Sequence, residues 1–581
     1  MAINGISAFS ELPLIDGGNF IEIPIDGGNF TDNLSEDLID GGSFKSQSIR
    51  TPTGISINKS IDIIEIGENF AVMATPIPYD INYSNMVIWE SSDPNVCPVN
   101  YGVLEGKSVG LVTITAYDTT RTYSKSFQVQ VVPPATESFS QDQIYNVSIA
   151  DYGISIDNSH SVETTNGIMK ALSFASQNGY KKIVFPKGVY LVTPDAGTIK
   201  LPDNMLIDFS DSTVNIELSS KISVGYTMFV MDNVEYTKLI NVNVYGEADF
   251  TTVANSNEGN ISLQIVDCYK SGIENCTFSK SSGFNVITGT KRFKDGTGDT
   301  WITYSNFEPG SIDSFGNLDD KTITFHFRTP NFIDVSRLGS YYMLGYNQGY
   351  WDYQYLRSRL YSIYFYDKNY QFIEGQQYNF QYYNYEKPVN AYYAKIVVYQ
   401  DTAPTSGDTD FNGAVVFIRT LGIPRRCFIK NSTFEDNFST GLAMTGGQDW
   451  TITGNTFSRN SGRMPGCDID WEDGWDAMVG DIVKNNTFNS ILGIVTAGGA
   501  NISIFDNRFN NSYLYIWPRT QNWRVFRNTF NGKAAGQYDI QLGAQGDSIF
   551  AENLLKTIRY YTTKNDTSAA YEVHAINNTL V

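Results

Sequence analysis

In the last third of the chain, apolar and polar positions recur in one short phrase. Asn-x-Phe appears as Asn455-Thr456-Phe457, Asn486-Thr487-Phe488, Asn507-Arg508-Phe509 and Asn528-Thr529-Phe530, and decays to Asn553-Leu554-Leu555 and Asn578-Thr579-Leu580. From Phe434 onward the apolar members step by 23, 31, 21, 21, 25 and 25 residues. A period in this range predicts a solenoid, each repeat being one coil of short strands. Equivalent positions then stack at the ~4.8 Å spacing of paired strands. Phe and Leu build an apolar column inside, and Asn two residues earlier builds a ladder of side-chain amides. A leucine-rich repeat fits poorly, because its Leu-x-x-Leu-x-Leu consensus is missing.

Other stretches carry other periods. Residues 52–134 alternate in period two, as in Val112-Thr113-Ile114-Thr115-Ala116, which predicts a small sandwich. Between 164 and 175, Ile168, Ala171, Leu172 and Ala175 fall at helical spacing, and a strand, a Pro186/Gly188 turn and a second strand follow. A short amphipathic helix here would cap the first coil, whose exposed strand is otherwise a sticky edge. Coils follow at Leu206–Phe209, Leu239–Val244 and Ile273–Phe278. Over 291–424 the Asn-x-Phe phrase disappears and Tyr is dense, while Ile363–Asn369 and Tyr392–Val398 alternate as sandwich strands. The expected class is all-β: an arm over 1–50, a sandwich over 52–134, a β-helix over 146–290 and 425–581, and a sandwich over 291–424 inserted between two coils.

Three resemblances attach to these patterns. Val87-Ile88-Trp89-Glu90-Ser91-Ser92-Asp93-Pro94-Asn95-Val96, with Gly102-Val103 and Gly110–Ala116, resembles the bacterial Ig-like group 2 domain, usually a spacer or adhesive unit. Ala150-Asp151-Tyr152-Gly153-Ile154 and the helix and strands after it resemble the start of pectate-lyase-like right-handed β-helices in phage tailspikes. The stretch Asp157–Thr164 departs mildly from that family's more acidic pattern. The inserted segment is similar to carbohydrate-binding-like jelly-roll modules of phage tail proteins. These resemblances imply a virion tail protein, homotrimeric, that attaches to a host surface glycan.

Composition narrows the partners. Net charge is −21, which disfavours binding to nucleic acid or anionic membranes by simple attraction. With 37 Tyr and 35 Phe the chain is not disordered in general, and with 18% charged residues its surface suits polar, hydrogen-bonding partners. Five cysteines with no CxxC pair argue against a disulfide framework or zinc site. No basic stretch followed by an apolar run opens the chain, so no signal peptide is expected, and no run of ~18 apolar residues could span a bilayer. In the first 50 residues Ile15-Asp16-Gly17-Gly18-Asn19-Phe20 recurs at Ile25–Phe30 and, as Ile39-Asp40-Gly41-Gly42-Ser43-Phe44, once more. These turn-forming phrases are expected to dock onto tail or baseplate proteins or sister chains. By its own rhythm the sequence stops in the middle of a coil at Asn577–Val581, and the open end is expected to be covered by sister chains at the trimer tip, ahead of a docked partner protein or a C-terminal segment removed after assembly.

The 31-residue step holds the densest acidic cluster, Asp468-Ile469-Asp470-Trp471-Glu472-Asp473-Gly474-Trp475-Asp476. On a strand, Asp468, Asp470 and Glu472 share one face, with Ile469 and Trp471 on the other. Same-face neighbours lie ~6.6–7 Å apart, near the separation of an inverting glycosidase pair. Crowded carboxyls split their pKa values, so one can donate a proton while another activates water. Asp473 and Asp476 lie just beyond and complete the catalytic candidates. Trp450 and Trp475 could stack on sugar rings, and Arg463 could hold an anionic group. The segment resembles the acidic strand of β-helix lyases, epimerases and hydrolases. Three other roles stay open: Ca²⁺ binding through the carboxylates, a solvated turn, and sugar binding without cleavage. No cofactor is expected otherwise. Hydrolysis ranks above β-elimination because only Arg463 is basic nearby.

Overall fold

A computed structural model describes residues 53–77, 87–135, 137–218, 220–221, 223–247, 257–289, 300–303, 307–319, 326–339, 341–347, 360–380, 383–399, 415–419, 422–462, 466–472, 478–517, 520, 522–532, 538–542, 548–560 and 573–580. The arm over 1–50, Arg463, Asp473, Trp475 and Asp476 lie outside these residues.

From Gly272 to Tyr560 each coil contributes two short strands to one parallel sheet and a third strand to another, whereas the earlier coils enter the first sheet through single longer strands such as Leu206–Ile216 and Lys238–Tyr245. Among the described residues the first sheet has 21 strands and the second ten, all paired coil to coil as in Phe278↔Phe434↔Phe457↔Phe488↔Phe509. The coils wind as a right-handed parallel β-helix, the hand that strand–crossover–strand connections take. Inside, Phe434, Phe457, Phe488, Phe509 and Phe530 stack with centroid separations of 4.9, 5.2, 4.7 and 4.5 Å.

The asparagines two residues earlier occupy the adjoining corner, fully buried. Asn507 shows the pattern: its Oδ1 accepts from the backbone N–H and the Nδ2 of Asn486 at 2.9 and 3.0 Å. Its own Nδ2 donates to Asn528 Oδ1 at 3.0 Å and Val483 O at 2.9 Å. The ladder runs from Asn455 to Asn578 and satisfies backbone groups that a bend would leave orphaned. The residue before each rung makes the bend in the left-handed region, with φ 70° at Gly454, 55° at Asn485 and Asp506, 52° at Arg527, 54° at Glu552 and 48° at Asn577.

The first coil is closed by helix Ser161–Gln177, which buries Ile168, Ala171, Leu172 and Ala175 against the coil interior. The chain leaves the stack after strand Val286–Gly289 and returns by Phe428–Lys430, so that Ile273 pairs with Ile429 across the excursion. Within it, strands His326–Arg328, Ile333–Asp334, Leu360–Tyr366, Phe372–Phe380 and Tyr393–Tyr399 form one antiparallel sheet.

Residues 53–135 form small sheets around Ile64, Phe70, Leu104, Val112, Ile114 and Val129. This unit lies flat along the corners of the coils instead of projecting as a spacer. Val103 packs on Ile482, Phe505, Phe526 and Ala551. Ion pairs Glu65–Lys270 (3.0 Å) and Glu68–Arg426 (2.6 Å), and the Tyr101–Glu552 hydrogen bond (3.0 Å), fix it to coils far apart in the stack. Met73 meets Val479 and Ala500 of the coils and Leu360 and Tyr364 of the insert in one apolar cluster, so three units converge.

Candidate functional site

The acidic strand is Cys467–Trp471, in the ten-stranded sheet between Leu442–Met444 and Leu492–Thr496. Ile469 and Trp471 lie in the coil core, which turns the alternate positions to the outer face. One outward column reads Ala443, Asp470, Val495, Tyr515, Gln541 in successive coils. The next outward position belongs to Glu472, Ala497 and Trp517, whose backbone N–H groups donate to Met444 O, Trp471 O and Thr496 O in the same pattern. Asp470 is 4% exposed and Glu472 half-buried. Tyr515 and Trp517 pack 5.6 Å apart two coils on, beside half-buried Tyr513. A carboxylate row therefore stands roughly 9–10 Å along the axis from an aromatic row on the same face.

The aromatic row was missed from sequence, although its signal is there. Tyr513-Leu514-Tyr515-Ile516-Trp517 alternates like Asp468–Glu472, but reads as core until the register places it.

Two expectations are corrected. Trp450 does not stack on a ligand: it is completely buried in the coil core, because its corner turns inward. Asp468 does not reach solvent either. Its oxygens accept from Asn460 Nδ2 at 2.8 Å and from the Ser490 backbone N–H at 3.4 Å, and burial pushes its carboxyl up to about 7. It holds the start of the strand in place. Asp470 and Glu472 remain as described carboxylates on the outer face. Among the described residues no group of three or more His, Cys, Asp or Glu converges as a cation site. All five cysteines are buried and unpaired.

Behind the site lies Asp481, also missed. It is fully buried, accepts the Trp471 indole N–H at 2.9 Å and the Trp450 backbone N–H at 3.1 Å, and is pushed by burial up to about 7. Since Trp471 separates Asp470 from Glu472 in the strand, this anchor holds the segment that carries both.

No protein-family model matches the chain. An uncharacterized protein of Clostridium acetobutylicum is 34% identical over 100 residues, 17% of this chain and 24% of that protein. The chain thus matches about a quarter of the length of that curated relative. Among solved structures, the surface adhesin PfbA of Streptococcus pneumoniae is 13% identical with TM-score 0.35, over 75% of this chain and 90% of that one. A tailspike protein of Acinetobacter baumannii bacteriophage Fri1, a capsular polysaccharide depolymerase, is 10% identical with TM-score 0.37, over 76% and 64%. Similarity at this level transfers neither activity nor partner. Among the described residues no helix is long and apolar enough to cross a membrane.

Proposed function

We propose that this chain is a phage tail receptor-binding protein that binds a host cell-surface polysaccharide or teichoic-acid-like polymer and hydrolyses it. The observation that carries the reading is the pairing of Asp470 and Glu472 with Tyr513, Tyr515 and Trp517 on one outward sheet face. Tyr515 is itself buried, so a glycan laid along the coil axis would rest a sugar on half-buried Tyr513 and Trp517 and present a linkage to the carboxylates. Glu472, reachable by water, is the base, and Asp470, more enclosed, donates the proton to the leaving oxygen. Their same-face spacing of ~6.6–7 Å leaves room for a water, which gives inversion. The virion location and the trimer rest on the sequence resemblance, and the docking of residues 1–50 onto the tail rests on their repeated Ile-Asp-Gly-Gly phrases.

A non-enzymatic adhesin is the second reading, favoured by the enclosure of Asp470 at 4% exposure. Incubation with host-envelope glycans, read as new reducing ends and shortened chains, separates the two. Binding without shortening would leave the adhesin.

A further inference from the structure

We infer that Lys59 and Asp449 condense to a side-chain amide, an intramolecular cross-link that joins the N-terminal unit to the β-helix. Lys59 ends strand Gly54–Lys59 of the N-terminal unit, and Asp449 sits in a coil corner at φ 60°. Lys59 Nζ lies 2.5 Å from Asp449 Oδ1, and the two side chains are only 2% and 6% exposed. The carboxyl carbon is one bond beyond Oδ1, which puts the amine near the ~3–3.5 Å separation of atoms held for reaction. Gly480, at φ 85°, makes the approach possible: a Cβ there would press on both Asp449 Oδ1 and Lys59 Nζ.

The surroundings favour the uncharged forms that react. The Phe70 ring stands 3.9 Å from Lys59 Nζ and the Tyr383 ring 5.8 Å. Burial pulls the amine below its ordinary range; Asp449 opposes that, and the buried Arg524 guanidinium adds to it. Burial also pushes the Asp449 carboxyl above its ordinary range, against the pull of Lys59 and Arg426. Asp481, next to Gly480, is itself held protonated up to about 7 and so lends the ammonium little countercharge. Passing one proton from Nζ to Oδ1 abolishes two costly buried charges at once.

The freed lone pair on Nζ then attacks Cγ. The Nζ–Cγ bond forms, a second Nζ proton passes to Oδ1, and the Cγ–Oδ1 bond breaks. One water leaves, and no oxidant or other reactant is consumed. Negative charge gathers meanwhile on Oδ2, which the Tyr383 hydroxyl faces at 3.5 Å. The third Nζ proton stays as the amide N–H, within reach of Ala71 O, to which Nζ already donates at 2.5 Å. The product keeps these partners and buries no charge. It links positions 390 residues apart, so it restricts the unfolded chain as a disulfide would, in a protein whose five cysteines are unpaired. Until the bond forms, the ion pair alone registers the units. The reaction does not depend on whether Asp470 and Glu472 cleave a glycan.

The test is the intact mass of the full chain, folded by circular dichroism and incubated for days at neutral pH. Wild type should weigh one water less than its sequence, and its tryptic digest should contain a branched peptide joining Lys59 to Asp449. Lys59→Arg, which keeps the charge, and Asp449→Ala should show the full sequence mass and no branched peptide. Folded wild type at full sequence mass overturns the proposal without recourse to any variant. So does a loss of water that persists in Lys59→Arg, which would place it at an Asp-Gly succinimide such as Asp16-Gly17.

Discussion

Lys59 Nζ lies 2.5 Å from Asp449 Oδ1, with both side chains almost wholly out of solvent. One belongs to the N-terminal unit and the other to a coil corner. The insert reaches the same point through Tyr383, whose hydroxyl is 3.5 Å from Asp449 Oδ2, and the Lys59 ammonium stands 3.9 Å over the Phe70 ring. Burial pushes the Lys59 ammonium below its usual range and the Asp449 carboxyl above its own, and their mutual contact opposes both shifts. The pair is thus costly in isolation and serves to register three units against each other.

Removing one partner strands a buried charge. Lys59→Met is expected to destabilise the chain by about 3–5 kcal/mol in urea unfolding, and Lys59→Met/Asp449→Leu to recover most of the loss. A double variant as unstable as the single one would show that the pair is not what holds the seam.

Asp470→Asn and Glu472→Gln are each expected to lower depolymerisation by orders of magnitude, with little change in melting temperature for half-buried Glu472→Gln and a larger one for enclosed Asp470→Asn. Trp517→Ala should instead raise KM more than it lowers kcat, since it acts on binding. Reducing-end kinetics on host-envelope glycan give all three; near-wild-type rates in both carboxylate variants would place the chemistry elsewhere.

Asp468 and Asp481 stay protonated in the fold up to about pH 7, whereas in the unfolded chain they ionise near 4. Their raised values stabilise the fold fully below about pH 4, and that contribution is lost as pH rises to about 7, on the order of a few kcal/mol in all. Asp468→Asn, neutral at every pH and matched in shape to the protonated acid, should remove its part of that slope. Denaturant unfolding from pH 4 to 8 measures it, and an unchanged slope would mean that Asp468 ionises as freely in the fold as in the unfolded chain.

Asn507→Ala takes the acceptor from two buried donors of Asn486 at once. A loss of about 2–4 kcal/mol is expected, from ~1–3 kcal/mol for each stranded group with partial relaxation. Asn578→Ala, at the last described rung, should cost less, because its corner frays more readily. Thermal unfolding of the two variants compares them directly.

Deletion of residues 1–50 is expected to leave a folded, glycan-binding trimer that no longer joins the particle. Light scattering reads the trimer, and virion incorporation reads the docking; truncated protein found on particles would show that the anchor lies elsewhere.

The coil stack could be read from the chain because its signal is one-dimensional. A parallel β-helix repeats each contact at a fixed interval, so Phe434 to Phe530 and Asn455 to Asn578 announce their columns by spacing alone. The capping helix was legible for the same local reason: Ile168, Ala171, Leu172 and Ala175 need only helical period to share a face. Part of the candidate site was legible too, since alternation over Ile469–Glu472 separates core from outer face on any strand. What alternation does not contain is where it breaks: Cys467 lies in the outer cluster, and Asp468 turns into the coil corner. Asn460 and Ser490 enclose Asp468 from corners 8 and 22 residues away, and Trp450 turns inward on a bend whose direction depends on backbone angles. The aromatic row at Tyr513, Tyr515 and Trp517 meets Asp470 and Glu472 only through register across two coils. The clamp of Lys59 on Asp449 joins residues 390 positions apart with no period between them. Repetition along the chain determined the scaffold; unrepeated long-range contacts, formed only once the coils are stacked, decided which side chains share its outer face.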